Sequence, residues 1–240
     1  VIVAVLGAPY VCPPAPYEAA FLVEEHLRQR GVRESVEVLV STPMPSPLPM
    51  AGSDVEELVA DGLAGQGIEL RAGQEVAEID TEANVVSFAD GASLQYSLLL
   101  GVPPALPPAV LADSPLAGES GWVWPDPQTG RTAFDRVYCV GDCTSVENVP
   151  KAGVFAEALG RVAATNVAAE IDGGQEARYD GAGYCFLEFN GQRAAAVEGE
   201  FFAKPKPKLW MAAPDAETYA RKHAFEAERL QAWLGANPSK

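Results

Sequence analysis

Histidine is nearly missing from this 240-residue chain. His26 and His223 are the only two, and Cys12, Cys139, Cys143 and Cys185 fall in no zinc-binding spacing. A metal site is therefore not expected. Positive charge is also short, with 17 Lys and Arg against 33 Asp and Glu and a formal net charge of -16. That balance repels phosphate, so nucleic acid is not expected as a partner. No run approaches the roughly 18 apolar residues of a membrane-spanning helix. No charged-then-apolar leader opens the chain, and the expected location is cytoplasmic. A glycine fingerprint is lacking too. The first strand-to-helix turn holds Gly7 with Pro9, Pro13, Pro14 and Pro16, where Gly-x-Gly-x-x-Gly would let a pyrophosphate approach the backbone. After the second strand, Ser41, Thr42 and Pro43 offer no carboxylate for a ribose diol, so NAD(P) binding is not expected.

What is present is an alternation of strands and helices. Residues 1–6 read as a buried parallel-type strand and residues 18–30 as a helix stopped by Gly31. Residues 36–40 read as a strand, 54–64 as a helix capped by Ser53, and 68–70 as a short strand. Three short runs near 76–79, 85–88 and 94–96 read as an antiparallel meander, and 97–102 as a closing strand. The start on a bare strand, with no initiator Met, suggests a fragment of a longer protein. Towards the other end, Asn190 and Gly191 join strands at 184–189 and 195–202, a strong hairpin signal. Residues 204–208 read as a stiff exposed spacer. Residues 215–234 form an amphipathic helix with Tyr219, Lys222, Leu230, Trp233 and Leu234 near one face, ending at Gly235. That face is expected to pack on its own domain, with peripheral membrane contact as the alternative.

The chain is organised around residues 137–153. An apolar run, Val137, Tyr138, Cys139 and Val140, reads as a strand ending in Gly141 and Asp142. Pro150, Lys151, Ala152 and Gly153 then lead into an Ala-rich helix running to about Ile171, with Gly173 and Gly174 after it. Such a strand end presents a carboxylate to ligand hydroxyls, and the helix amino end offers free N–H groups and positive dipole. A buried βα unit with a capping Asp fits the same residues. The Gly-Asp, Pro-Lys-x-Gly and Ala-rich-helix succession resembles the second FAD-binding segment of the FAD-dependent pyridine nucleotide-disulfide oxidoreductase superfamily. Within it, the chain most resembles the sulfide:quinone oxidoreductase and flavocytochrome c sulfide dehydrogenase branch. The resemblance implies that Gly141 and Asp142 hold the FAD ribityl chain, and that Lys151 and Gly153 sit by the flavin ring. It implies an α/β fold: a Rossmann-like three-layer domain with an inserted meander over residues 1–105, the later part of an FAD-binding domain over 106–174, and an α+β interface region over 175–240. The family's pyrophosphate-binding fingerprint belongs to an earlier segment, so FAD is expected in the full-length protein and not in this chain alone. The isolated fragment is expected to be colourless and inactive.

On their own, Cys12 and Cys185 read as structural thiols, since no local motif joins them. The resemblance implies otherwise. Cys12 begins Cys-Pro-Pro-Ala-Pro-Tyr-Glu, matching the family's Cys-x-x-x-x-Tyr-Glu loop, and Cys185 lies in a matching strand of the interface region. In the family the two form a redox pair that sulfide attacks, and a thiolate passes two electrons to FAD and on to quinone or another acceptor. Glu18, six residues past Cys12, matches the family's proton-carrying carboxylate; a first-turn helix Glu fits it equally. Cys139 reads as core and Cys143 as small filler. The quinone-reducing members carry a His after the second strand, which residues 41–49 lack. A pyridine-nucleotide-dependent disulfide or quinone reductase, or a catalytically silent interaction module, are the alternatives.

Overall fold

A computed structural model describes residues 1–235. Four parallel strands form the first sheet in the order β3 (Glu69–Ala72), β2 (Leu39–Thr42), β1 (Ile2–Val5), β7 (Leu99–Val102). Because side chains alternate across a strand, neighbouring residues serve opposite faces. Val3 and Val40 enter a core shared with helices α1 (Ala15–Gln29) and α2 (Ser53–Gly65). Ile2, Ala4 and Leu39 meet Val76, Leu94 and Tyr96 instead, from the region of the antiparallel meander β4 (Val76–Asp80), β5 (Val85–Phe88) and β6 (Ser93–Gln95). The α/β Rossmann-like fold with an inserted meander is thus what the chain adopts. Its layers are helices, parallel sheet and meander.

Several boundaries differ from the sequence reading. Helix α1 begins at Ala15, three residues before the expected start, because Pro16 in its first turn gives up an N–H that the turn leaves unpaired anyway. The expected strand at 36–40 begins only at Leu39, after a 3-10 turn at Arg33–Ser35 whose Arg33 guanidinium binds the carbonyl of Val36. Ser53 does not cap α2: it is the first helical residue, its hydroxyl lies 3.3 Å from the Asp54 carboxylate, and Gly52 at φ 95 turns the chain in. Residues 106–127 contain one short helix, α3 (Ala109–Ala112).

The largest correction concerns 137–140. They are extended but form no strand, because their one ladder partner is the isolated bridge of Tyr138 with Arg131. β propensity makes a strand only beside another strand. Asp142 accordingly stands exposed on a 3-10 turn, Gly141–Cys143, rather than at the end of a sheet strand. The following helix α4 (Gly153–Asp172) starts and stops as the sequence indicates, with Gly173 at φ 76 as its left-handed cap.

The carboxyl-terminal hairpin pairs β8 (Ala182–Phe189) with β9 (Arg193–Glu200) across the turn at Asn190, Gly191 and Gln192. The expected spacer is overturned at its end, where Lys208 opens a third strand, β10 (Lys208–Met211), along β9. Leu187, Phe189, Ala195 and Val197 belong to the same core as α1 and α2, so the hairpin and the parallel-sheet unit share an interior. Helix α5 (Ala216–Leu234) is capped by the Asp215 carboxylate, which accepts the Thr218 N–H at 2.6 Å. No helix among the described residues is long and apolar enough to cross a membrane.

Candidate active site

Cys12 lies in the loop between β1 and α1 at φ 56, a left-handed conformation uncommon for a residue with a Cβ. Two bonds hold it there: its N–H donates to the carbonyl of Lys151 at 2.8 Å, and its carbonyl accepts the Ala15 N–H at 2.9 Å. The first of these ties the β1–α1 loop to the segment before α4. Burial raises the Cys12 thiol above its ordinary value; the bond with Ala15 opposes the rise, Glu18 adds to it, and the positive charge of Lys222 opposes it. Cys185, on β8, packs with Phe155, Leu159 and Phe201. Burial pushes its thiol up to about 12, with Cys12 as the second cause. Both cysteines are free thiols here.

Beside them opens a cavity of about 500 Å³. Its walls come from Tyr10, Pro13 and Pro14 on the β1–α1 loop, Met44 and Leu48 after β2, residues 144–146 and 148–151, and Cys185 with Phe201. Cys185 lines it directly. Cys12 does not, although its neighbours Pro13 and Pro14 do. The lining is mostly apolar, as suits a flat ring system.

Glu18 is fully engaged. One oxygen accepts from Lys222 Nζ at 2.8 Å, and the other accepts the Glu188 N–H at 2.7 Å. Lys222 also binds the Glu188 carboxylate at 2.6 Å. The charge carried on α5 therefore reaches back to the first turn of α1. The amphipathic pattern located Lys222 on a helix face, but nothing in the sequence named its two carboxylate partners.

Lys151 is equally occupied. Its Nζ donates to the carbonyls of Asp142 at 2.8 Å and Thr144 at 2.7 Å, and lies 3.5 Å from the centre of the Trp122 ring. Burial lowers its pKa, against the pull of Asp142. Sequence reasoning left Trp122 without a role, because a tryptophan in a loop carries no signal of the cation it covers. With its main-chain oxygen taken by Lys151, Asp142 keeps its carboxylate without a hydrogen-bond partner among the described residues. It lines a second, small cleft with Gly141, Ala152 and Phe155. Helix α4 begins there at Gly153, where no side chain caps the first turn and no atom stands within 4 Å of where a Cβ would point. A free carboxylate, uncapped N–H groups and an adjoining apolar cavity are the donor and acceptor set that a flavin's ribityl hydroxyls and ring edge require. The residues present therefore fit FAD.

The model of the pyridine nucleotide-disulphide oxidoreductase family matches residues 18–160. The chain belongs to that family. It is 23% identical over 208 residues to the mitochondrial sulfide:quinone oxidoreductase of Mus musculus, covering 83% of this chain and 45% of that protein. It superposes on the sulfide:quinone oxidoreductase of Aquifex aeolicus with a TM-score of 0.77 at 19% identity, over 99% of this chain and 63% of that one. An FAD-dependent pyridine nucleotide-disulphide oxidoreductase from Desulfovibrio vulgaris aligns with a TM-score of 0.60 at 17% identity, over 83% of this chain and 48% of that one. The chain thus spans about half of the curated relative. Two of these relatives are sulfide:quinone oxidoreductases.

Proposed function

We propose that this chain forms the sulfur-facing part of an FAD-dependent oxidoreductase that oxidises sulfide or a related small sulfur donor. Electrons leave to quinone or another carrier. One observation supports the reading above the others: Cys12 and Cys185, far apart in sequence, both come to one apolar cavity, Cys185 in its wall and Cys12 next to the Pro13 and Pro14 that line it.

In the oxidised form the two sulfurs are bonded to each other. Hydrosulfide attacks one of them, the S–S bond breaks, and one cysteine leaves as a thiolate while the other carries the persulfide. FAD, when bound, supplies the two-electron acceptor. Asp142, Gly141 and the α4 amino end at Gly153 would hold it, and Lys151 fixes the turn that presents Asp142. A thiolate is the reactive form, and burial opposes it at both cysteines. Lys222 counters that cost at Cys12, and Glu18 between them carries the proton only when Lys222 releases one of its oxygens.

The test uses the full-length protein that contains this chain. Cys12→Ser and Cys185→Ser should each abolish sulfide-dependent bleaching of the flavin absorbance while FAD stays bound. Bleaching at the wild-type rate in both variants would remove the pair from the chemistry and leave only the fold in common with its relatives.

A further inference from the structure

Cys139 and Cys143 take no part in the chemistry above, yet their sulfurs lie 3.3 Å apart, inside ordinary sulfur–sulfur contact. Cys139 is buried at the end of the extended stretch, and Cys143 is half-buried at the end of the 3-10 turn Gly141–Cys143. Two features bring them together. Gly141, at φ 79, folds the backbone back, and the Cys143 thiol donates to the carbonyl of Val140 at 3.3 Å. Simple filling of space would not need two sulfurs to meet across the turn that carries Asp142.

We propose that Cys139 and Cys143 are a second thiol–disulfide couple, a redox-dependent tie across the Asp142 turn that a small-molecule disulfide closes. Bond formation needs the sulfurs to approach to about 2.0 Å, a movement confined to the turn. The more exposed Cys143 attacks first: its thiolate displaces one thiolate from the small disulfide and forms a mixed disulfide. Cys139 then attacks the Cys143 sulfur and expels the second thiolate. The two protons lost by the cysteines end on the two released thiols, so two cysteine thiols and one disulfide give one cystine and two small thiols. Burial and the bond from Cys143 push the Cys139 thiol up to about 12, which suits the resolving rather than the attacking role. Closed, the ring would pin the turn from one side while Lys151 holds the Asp142 and Thr144 carbonyls from the other.

The measurement is direct, because Arg136 and Lys151 bound a single tryptic peptide, 137–151, that contains both sulfurs and neither Cys12 nor Cys185. The folded full-length protein is incubated with oxidised glutathione, alkylated with iodoacetamide, digested and weighed. The expected result is loss of both alkyl groups from that peptide, which is lighter than the open thiol form by two hydrogens and opens again with dithiothreitol. In Cys139→Ser, Cys143 should instead retain glutathione. Two alkylated cysteines in the oxidised wild-type protein would overturn the proposal. So would glutathione on Cys143 beside an alkylated Cys139, or closure only after unfolding in urea. The peptide of the wild-type protein decides the question even if the variant fails to fold, and it is independent of the Cys12–Cys185 reading.

Discussion

Residues 1–105 and the stretch from 106 to the start of α4 are held together in different ways. The first region has four strands in continuous parallel register, with apolar side chains buried on both faces. The second has no extended strand, only isolated bridges such as Val123 with Thr144 and Arg131 with Tyr138. Polar clamps do the work there. The Asp126 carboxylate accepts the N–H groups of Gln128 at 3.0 Å and Thr129 at 2.8 Å, and Lys151 gathers two carbonyls under Trp122. Apolar periodicity specifies a frame, whereas point-to-point hydrogen bonds specify where a carboxylate such as Asp142 stands. The proposed flavin-facing residues sit on the clamped region.

The sharpest way to break that contrast is to remove apolar volume from each side. Leu63, on α2, is fully buried in the core of the first region, so Leu63→Ala should cost about 3 kcal/mol. Helical and strand signals should be lost together in one urea transition. Val140 is only partly buried, and Val140→Ala should cost about 1 kcal/mol or less. Equal losses would mean that the second region rests on apolar packing after all.

The same contrast explains what the sequence made legible. Helix α5, with Asp215 before it and Gly235 after it, is written locally in cap and periodicity, and so is the Asn190–Gly191 hairpin. The parallel sheet is legible because short apolar runs alternate with helical ones. Residues 137–140 misled because their strand propensity is real while a flanking strand is missing among the described residues. Strand β10 was hidden behind the Lys-Pro alternation that precedes it, since its pairing with β9 is a property of the hairpin and not of its own four residues. Glu18, Glu188 and Lys222 could not be joined at all from sequence. Their contact depends on α1, β8 and α5 packing at one point, across separations of 170 and 204 residues.

A smaller effect tests the clamps themselves. Asn166 is fully buried in α4, and its side chain takes both the N–H of Ala177 at 2.7 Å and the carbonyl of Ala177 at 3.1 Å. It fastens the chain that leaves α4 against the helix it has just left. Asn166→Ala strands two main-chain groups and should cost about 2 kcal/mol. Asn166→Asp keeps the acceptor for the N–H but faces the carbonyl with an oxygen, so it should rescue only part. Thermal unfolding of the three proteins reads this order. A variant with no loss would show that water reaches Ala177 freely.

The smallest effect expected comes from Lys222, and its sign can be worked out. Burial works against its charge, but the hydrogen bonds to Glu18 and Glu188 outweigh that and hold its pKa above the ordinary lysine value. A group bound more tightly when protonated stabilises the fold fully below its unfolded pKa. That contribution is lost as pH rises through the folded one. The clamp should therefore be constant through neutrality and fade only in the alkaline range above that of a free lysine. Because the lysine is still partly exposed, screening limits the contribution to about 1 kcal/mol or less. Lys222→Met removes it at every pH and leaves the Glu18 and Glu188 carboxylates without the cation they share. The melting temperature of the variant should lie below that of the wild type at neutral pH, and the gap should close as the wild-type lysine loses its proton. A gap that stayed constant from neutral to strongly alkaline pH would mean that Lys222 acts through the packing of its methylene stem, and that the charge linking α5 to the first turn of α1 and to β8 contributes nothing to holding them together.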